Sequence, residues 1–217
     1  LNRTSPGSIK PVFITGTYAH DIGSNGMGAA VADINEDGFM DVYNTTVGLD
    51  YLCIGTDESA CQDQTIERGL RIEWGSESIR QQWAPTFADI NADGLLDLVV
   101  RHGGVGTSAD SGLGWSLSYS EPDLVYVQDE SGIFRRTETP FEPLLAPNGR
   151  QMVLGDLDQD GLPDLALGGE LGSAGFWRNA TEVTGRRPLT LRIRGTISGQ
   201  PAIGTKVVSS CDGRSLS

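Results

Sequence analysis

The stretch from Asp33 to Asp41 reads DINEDGFMD, and the chain writes it twice more, as DINADGLLD from Asp89 to Asp97 and DLDQDGLPD from Asp156 to Asp164. Each copy carries an oxygen-bearing side chain at its first, third, fifth and ninth positions and a glycine at its sixth. This spacing wraps a short loop around a hard cation. Alternate side chains converge, the glycine permits the sharp turn, and the carbonyl of the seventh residue fills a gap in the shell. The first candidate site is therefore Asp33, Asn35, Asp37 and Asp41 with the Phe39 carbonyl. The second is Asp89, Asn91, Asp93 and Asp97 with the Leu95 carbonyl, and the third is Asp156, Asp158, Asp160 and Asp164 with the Leu162 carbonyl. Gly38, Gly94 and Gly161 make the turns. One copy could arise by chance. Three with the glycine fixed make calcium binding the strongest statement the sequence supports.

The donor set is all hard oxygen, with no His or Cys, which excludes zinc and copper as the intended ion. A cage of five or more protein oxygens suits Ca²⁺ better than the smaller Mg²⁺. An EF-hand would need a glutamate at the twelfth position and helices on both sides. The twelfth positions here are Asn44, Val100 and Leu167, and the flanks read as strands. Plain Asp-rich turns are the alternative, but the four carboxylates of the third loop would repel one another without a cation. The formal charge is −13, and the loops hold ten of the aspartates. Filling with about three Ca²⁺ ions would bring the charge to about −7. The acidic balance argues against nucleic acid and anionic membrane as partners. The ions read as structural: each clamps a turn between two strands and offsets the loop's own repulsion.

Outward from the loops, short β-like runs stand on both sides. GMGAAVA, WAPTFA and MVLG precede them, and DVYNTTV, DLVVRHG and DLALGG follow. Gly, Pro or Asp bounds each run, as expected for buried strands. A further strand-like element follows each: Asp50–Ile54, then Asp123–Val127 with Gly132–Phe134, then Gly175–Asn179. No stretch carries a clean helical stripe. The loops begin at 33, 89 and 156, so the repeat spans 56 and then 67 residues, which suits one blade of a propeller. The expected fold is all-β, with about three propeller-type blades. The Gly-rich segment 101–122 reads as a long insertion. Past Arg187 the alternation of Leu189, Leu191 and Ile193, a turn through Ser-Gly-Gln-Pro and a restart at Ile203 predict a hairpin without an acidic loop.

The three loops with their flanking strands resemble FG-GAP/VCBS repeats, the calcium-loop blades of integrin-type and related extracellular propellers. The tail LTLRIRGTISGQPAIGTKVVSSCDGR is similar to the start of an ASPIC/UnbV domain, which follows such repeats in cartilage-acidic-protein-like chains. The resemblance implies blades over residues 1–186 and the beginning of a second β domain over 187–217. It also implies a calcium-binding role in cell adhesion.

Cys53 and Cys61 lie eight residues apart and could form a local disulfide, leaving Cys211 over; three free thiols is the alternative. Sequons at Asn2, Asn44 and Asn179 would suit a glycoprotein. With calcium loops and a disulfide, these features read as extracellular or secreted. No apolar run of membrane-spanning length occurs. The N-terminus, which lacks a methionine and an apolar signal core, reads as a mature end or the edge of a fragment.

The only histidines, His20 and His102, read as surface or loop residues, and no nucleophile elbow, phosphate loop or Cys/His pair is visible. The expected function is non-catalytic: an extracellular calcium-dependent scaffold for adhesion or protein interaction. Three blades would leave edges open, so a neighbouring subunit or a filament contact is an expected partner. The alternative is a carbohydrate-binding or carbohydrate-active propeller whose sugar site uses Trp74, Trp83, Trp115 or Trp177, with Trp115 the best exposed candidate and packing between blades the other role for these rings.

Overall fold

Alternating apolar residues need two covered faces or one covered face and water, and the strands beside the acidic loops have both kinds of neighbour. The computed structural model describes residues 2–3, 12–13, 26–56, 61–71, 81–103, 123–137, 149–169, 174–183, 191–195, 205, 207–211 and 214–216. All its regular structure is β, and every ladder is antiparallel. A short pair, β1 (Asn2–Arg3) and β2 (Val12–Phe13), comes first. Sheet one is a meander of β3 (Gly26–Ala32), β4 (Asp41–Thr46), β5 (Tyr51–Gly55) and β6 (Cys61–Asp63). Sheet two repeats it with β7 (Gln82–Ala88), β8 (Asp97–His102), β9 (Leu124–Gln128) and β10 (Phe134–Thr137). Sheet three has β11 (Gly149–Gly155), β12 (Asp164–Gly169) and β13 (Ala174–Trp177). A last hairpin joins β14 (Ser209–Cys211) to β15 (Arg214–Leu216). In each of the three sheets the acidic loop connects the first strand to the second.

The sheets stack in chain order. Tyr43, Leu52 and Ile54 of sheet one share a buried cluster with Leu98, Tyr126 and Phe134 of sheet two. Tyr43 meets Phe87 edge-on at 6.4 Å between ring centroids. Burying each of these side chains contributes about 1.5–3 kcal/mol. The approach of β3 to β7 depends on Gly28, where a methyl group would lie 2.8 Å from the Pro85 ring and 3.0 Å from the Ala84 nitrogen. Pro85 itself sits where the β7–β8 register shifts, the place in a ladder that tolerates a missing N–H.

The opposite face of sheet two carries Val99, Val125 and Arg101, and Arg101 reaches the Gly168 carbonyl of sheet three at 3.4 Å. Leu165 and Leu167 are buried on the side of sheet three turned to it. Side-chain amides tie the layers together as well. The Gln128 Nε2 donates to the Ile34 carbonyl at 3.2 Å and the Leu96 carbonyl at 3.0 Å, and the Asn179 Nδ2 donates to the Ile90 carbonyl at 2.8 Å.

Three expectations need correction. The sequence reading missed a strand at Cys61–Asp63, a polar piece that the pairing Gly55↔Cys61 and the disulfide hold in place. Leu191 and Ile193 are exposed and in no strand, and the observed tail hairpin lies further on, at Ser209–Leu216. The turn and restart expected at Ser198–Ile203 fall outside the described residues. His102 is the end of β8 and is 1% exposed, not a surface residue; His20 lies outside the described residues.

Candidate metal loops

The three acidic loops share one backbone conformation. The glycines at the sixth position have φ of 93°, 89° and 90°, the left-handed turn their lack of a Cβ permits. The fourth residue is left-handed too: Glu36 at 59°, Ala92 at 60° and Gln159 at 63°. None of these is a glycine, so the conformation is imposed by the bonds around it. The first aspartate supplies them. Asp33 accepts from the Asp37 nitrogen at 3.0 Å and the Gly38 nitrogen at 2.8 Å. Asp89 accepts from Asp93 at 3.0 Å and Gly94 at 2.9 Å, and Asp156 accepts from Gly161 at 3.0 Å. The fifth residue turns its own carboxylate to the nitrogen two residues on: Asp37 to Phe39 and Asp93 to Leu95, both at 2.8 Å, and Asp160 to Leu162 at 2.9 Å. At the third position, Asn35 and Asn91 donate their amides to Asp37 and Asp93.

The ninth residue does different work. Asp41, Asp97 and Asp164 are 0%, 0% and 1% exposed. Each accepts from the second residue of its loop through one oxygen: Ile34 at 2.9 Å, Ile90 at 3.1 Å and Leu157 at 2.8 Å. The other oxygen accepts from the end of the third strand or just past it: Gly55 at 2.8 Å, Gln128 at 2.9 Å and Asn179 at 2.8 Å. This carboxylate therefore pins the loop across the sheet as well as facing it. Burial pushes Asp97 up to about 6 and raises Asp41 and Asp89, against the backbone bonds that lower them. In the third loop the N–H groups of Asn179 and Leu157 win, and Asp164 falls below the usual carboxylate range. A cation at such a loop would favour the charged forms throughout.

The structure brings Asp156, Asp158 and Asp164 together with carboxylate oxygens all within 4.8 Å of one another, a grouping able to hold a metal ion. Asp160 stands beside them, exposed, with Arg178 between it and Asp158: the guanidinium is 2.7 Å from Asp158 and 3.7 Å from Asp160. Sequence reasoning missed Arg178. Its signal was available, because the same place in the other sheets is Ile54 and Val127. The third loop alone has a carboxylate at its third position, and it alone gains an arginine, which offsets the extra charge at the ligand positions. Of the carbonyl-bearing residues, Phe39 is exposed, Leu95 half-buried and Leu162 buried.

The other candidates are placed as follows. Cys53 and Cys61 form a disulfide between β5 and β6. The Asn44 sequon lies within β4, with Thr46 buried; the Asn179 amide nitrogen is committed to Ile90. Trp83 donates to the Gly103 carbonyl at 2.7 Å and carries the Arg150 guanidinium 4.2 Å above its ring, so it is engaged in packing. Trp177 is half-buried, while Trp74 and Trp115 lie outside the described residues. His102 accompanies an Arg101–Asp123 ion pair through its backbone nitrogen, which donates to Asp123 at 3.0 Å. A cavity of about 110 Å³ between sheets one and two is lined by Asp50, Asp63, Leu70, Arg71 and the buried amide of Gln82. Among the described residues no helix is long and apolar enough to cross a membrane. No family model matches the chain, and neither does any curated protein.

Proposed function

We propose that the protein is a non-catalytic, calcium-binding scaffold of the extracellular space, built from blades of the β-propeller type like the FG-GAP/VCBS repeats it resembles, and serving adhesion or protein interaction. The observation that carries this reading is the triplicate loop: one backbone conformation and the same first-to-sixth bond three times, with three carboxylates of the third loop drawn within 4.8 Å of one another. A loop preorganised in this way accepts a large hard cation with little further ordering, and ligand oxygens alone select Ca²⁺ over softer ions. The meander order of sheets one and two, with the loop between the first two strands, supports the blade reading. The disulfide supports an oxidising compartment. The packing of Trp83 favours the scaffold over a sugar site at that ring.

Titration calorimetry of chelator-stripped protein tests the proposal. About three Ca²⁺ ions should bind per chain, and at a free concentration 100 times the dissociation constant each site should add roughly 2.7 kcal/mol of stability. Protein that takes up no calcium at millimolar concentration, with an unchanged thermal midpoint, sinks it.

A further inference from the structure

Register allows the three sheets to be compared position by position. On one face, the row Ala30↔Tyr43↔Leu52 of sheet one corresponds to Thr86↔Val99↔Val125 of sheet two and Val153↔Ala166↔Phe176 of sheet three. The following sheet covers the first two rows: Leu52 is 0% and Val125 1% exposed. Phe176, at the same place, is 76% exposed, and Val153 66%. The second residue of each acidic loop follows the same trend. Ile34 is 4% exposed beneath sheet two, whereas Leu157 is 58% exposed. Sheet three thus presents, open, the face that sheets one and two bury. At the other end of the stack sheet one presents the complementary face. Val31 stands where Phe87 and Leu154 stand in the later sheets, and it is 59% exposed.

We infer that these two open faces bind each other between copies of this chain, head to tail, by repeating the contact that already joins its own sheets. Two features single out a second copy as the occupant. The interface is continuous in kind with the two inside the chain, since one end offers the covering face and the other the covered face. The sizes also complement. Sheet three places a phenylalanine where its predecessors have Leu52 and Val125, and sheet one answers with the exposed Val31 where its successors have the larger Phe87 or Leu154. A large residue on one side meets a smaller one on the other, which conserves packed volume.

The contact is weaker than the internal ones for a visible reason. Gly55 occupies the place from which Gln128 and Asn179 send an amide to the preceding loop, so a copy docked on sheet three gives the Leu157 carbonyl no such bond. Association is therefore reversible and concentration-dependent. A contact of this kind closes a ring or grows a filament according to the rotation it imposes. The inference rests on the blade reading for its geometry and not on calcium.

The test uses the full chain in calcium-containing buffer, with mass measured by light scattering across a dilution series. Phe176→Asp and Val31→Asp change exposed residues, and circular dichroism confirms that each variant folds. Wild-type mass should rise above the monomer with concentration. Each variant alone should stay monomeric, because every possible contact needs one face it lacks. An equimolar mixture should stop at the dimer, in which each partner contributes its one intact face. A wild type that remains monomeric overturns the inference, as does a mixture that remains monomeric or a single variant that still assembles. Assembly of a chain that binds no calcium would leave this inference standing and remove the calcium reading.

Discussion

Replacing Asp41 by asparagine separates two jobs performed by the ninth residue of an acidic loop. Asp41 is fully buried and accepts from the Ile34 and Gly55 nitrogens. An asparagine keeps one acceptor and turns an NH₂ towards one of those N–H groups. That leaves a buried donor without a partner, at about 1–3 kcal/mol, and weakens the remaining charge-assisted bond to a neutral one, at about 1 kcal/mol. Relief of carboxylate desolvation offsets part of this, so the net loss is about 2–3 kcal/mol, or roughly 5–10 °C in Tm for a chain of this size. Asp37→Asn is the control. Asp37 is exposed, its bond to the Phe39 nitrogen survives in the asparagine, and water serves whatever else is lost. Thermal unfolding followed by circular dichroism, in chelator and in calcium, reads both effects. Asp41→Asn should be destabilised in both buffers. Asp37→Asn should match wild type in chelator and fall behind it only in calcium. Equal stabilities for the two variants in chelator would refute the assignment of a structural pin to the ninth position.

Three further outcomes follow from the geometry. Gln128→Ala removes the amide that serves the Ile34 and Leu96 carbonyls, and should cost about 2–3 kcal/mol in urea unfolding, with hydrogen-exchange protection falling in the first acidic loop and in sheet two together. Glu36→Asn places at φ 59° a residue that accepts the left-handed conformation, and should raise stability by about 0.5–1 kcal/mol; a loss instead would mean that the Glu36 side chain makes a contact of its own. Burial pushes Asp50 up to about 7, against the bonds from Tyr43 and Thr46 that lower it. Its folded pKa lies above its unfolded one, so its contribution is fully present below about pH 4 and is lost as pH rises through about 7. The stability difference between wild type and Asp50→Asn should therefore move against wild type across that interval, and a constant difference would contradict it.

The loops and the strands beside them were legible because their signals are local. A glycine fixed in an oxygen-rich run and short apolar runs with a period of two need no distant partner to be read. What escaped was set across the sheets. Cys61–Asp63 has no strand composition and is a strand because β5 and a disulfide hold it. His102 looked like a loop residue beside two glycines, yet β8 continues through it, with Asp123 receiving both its nitrogen and the Arg101 guanidinium. Arg178 answers a carboxylate 20 residues earlier, and its apolar counterparts Ile54 and Val127 show up only when the repeats are aligned on their third strands. The left-handed residues at Glu36, Ala92 and Gln159 carry no glycine or asparagine to announce them; the first aspartate of each loop imposes the bend by capturing nitrogens beyond it.

The amides of Gln128 and Asn179 give the stack a polarity of communication. Each leaves one sheet and lands on the main chain of the acidic loop before it, on the carbonyl of the same residue whose nitrogen the ninth aspartate holds. Whatever stiffens a loop thus also seats the sheet that follows, and a disturbed sheet loosens the loop behind it. Rigidity in this molecule is handed along like links in a watch strap, each clasp fastened by its successor.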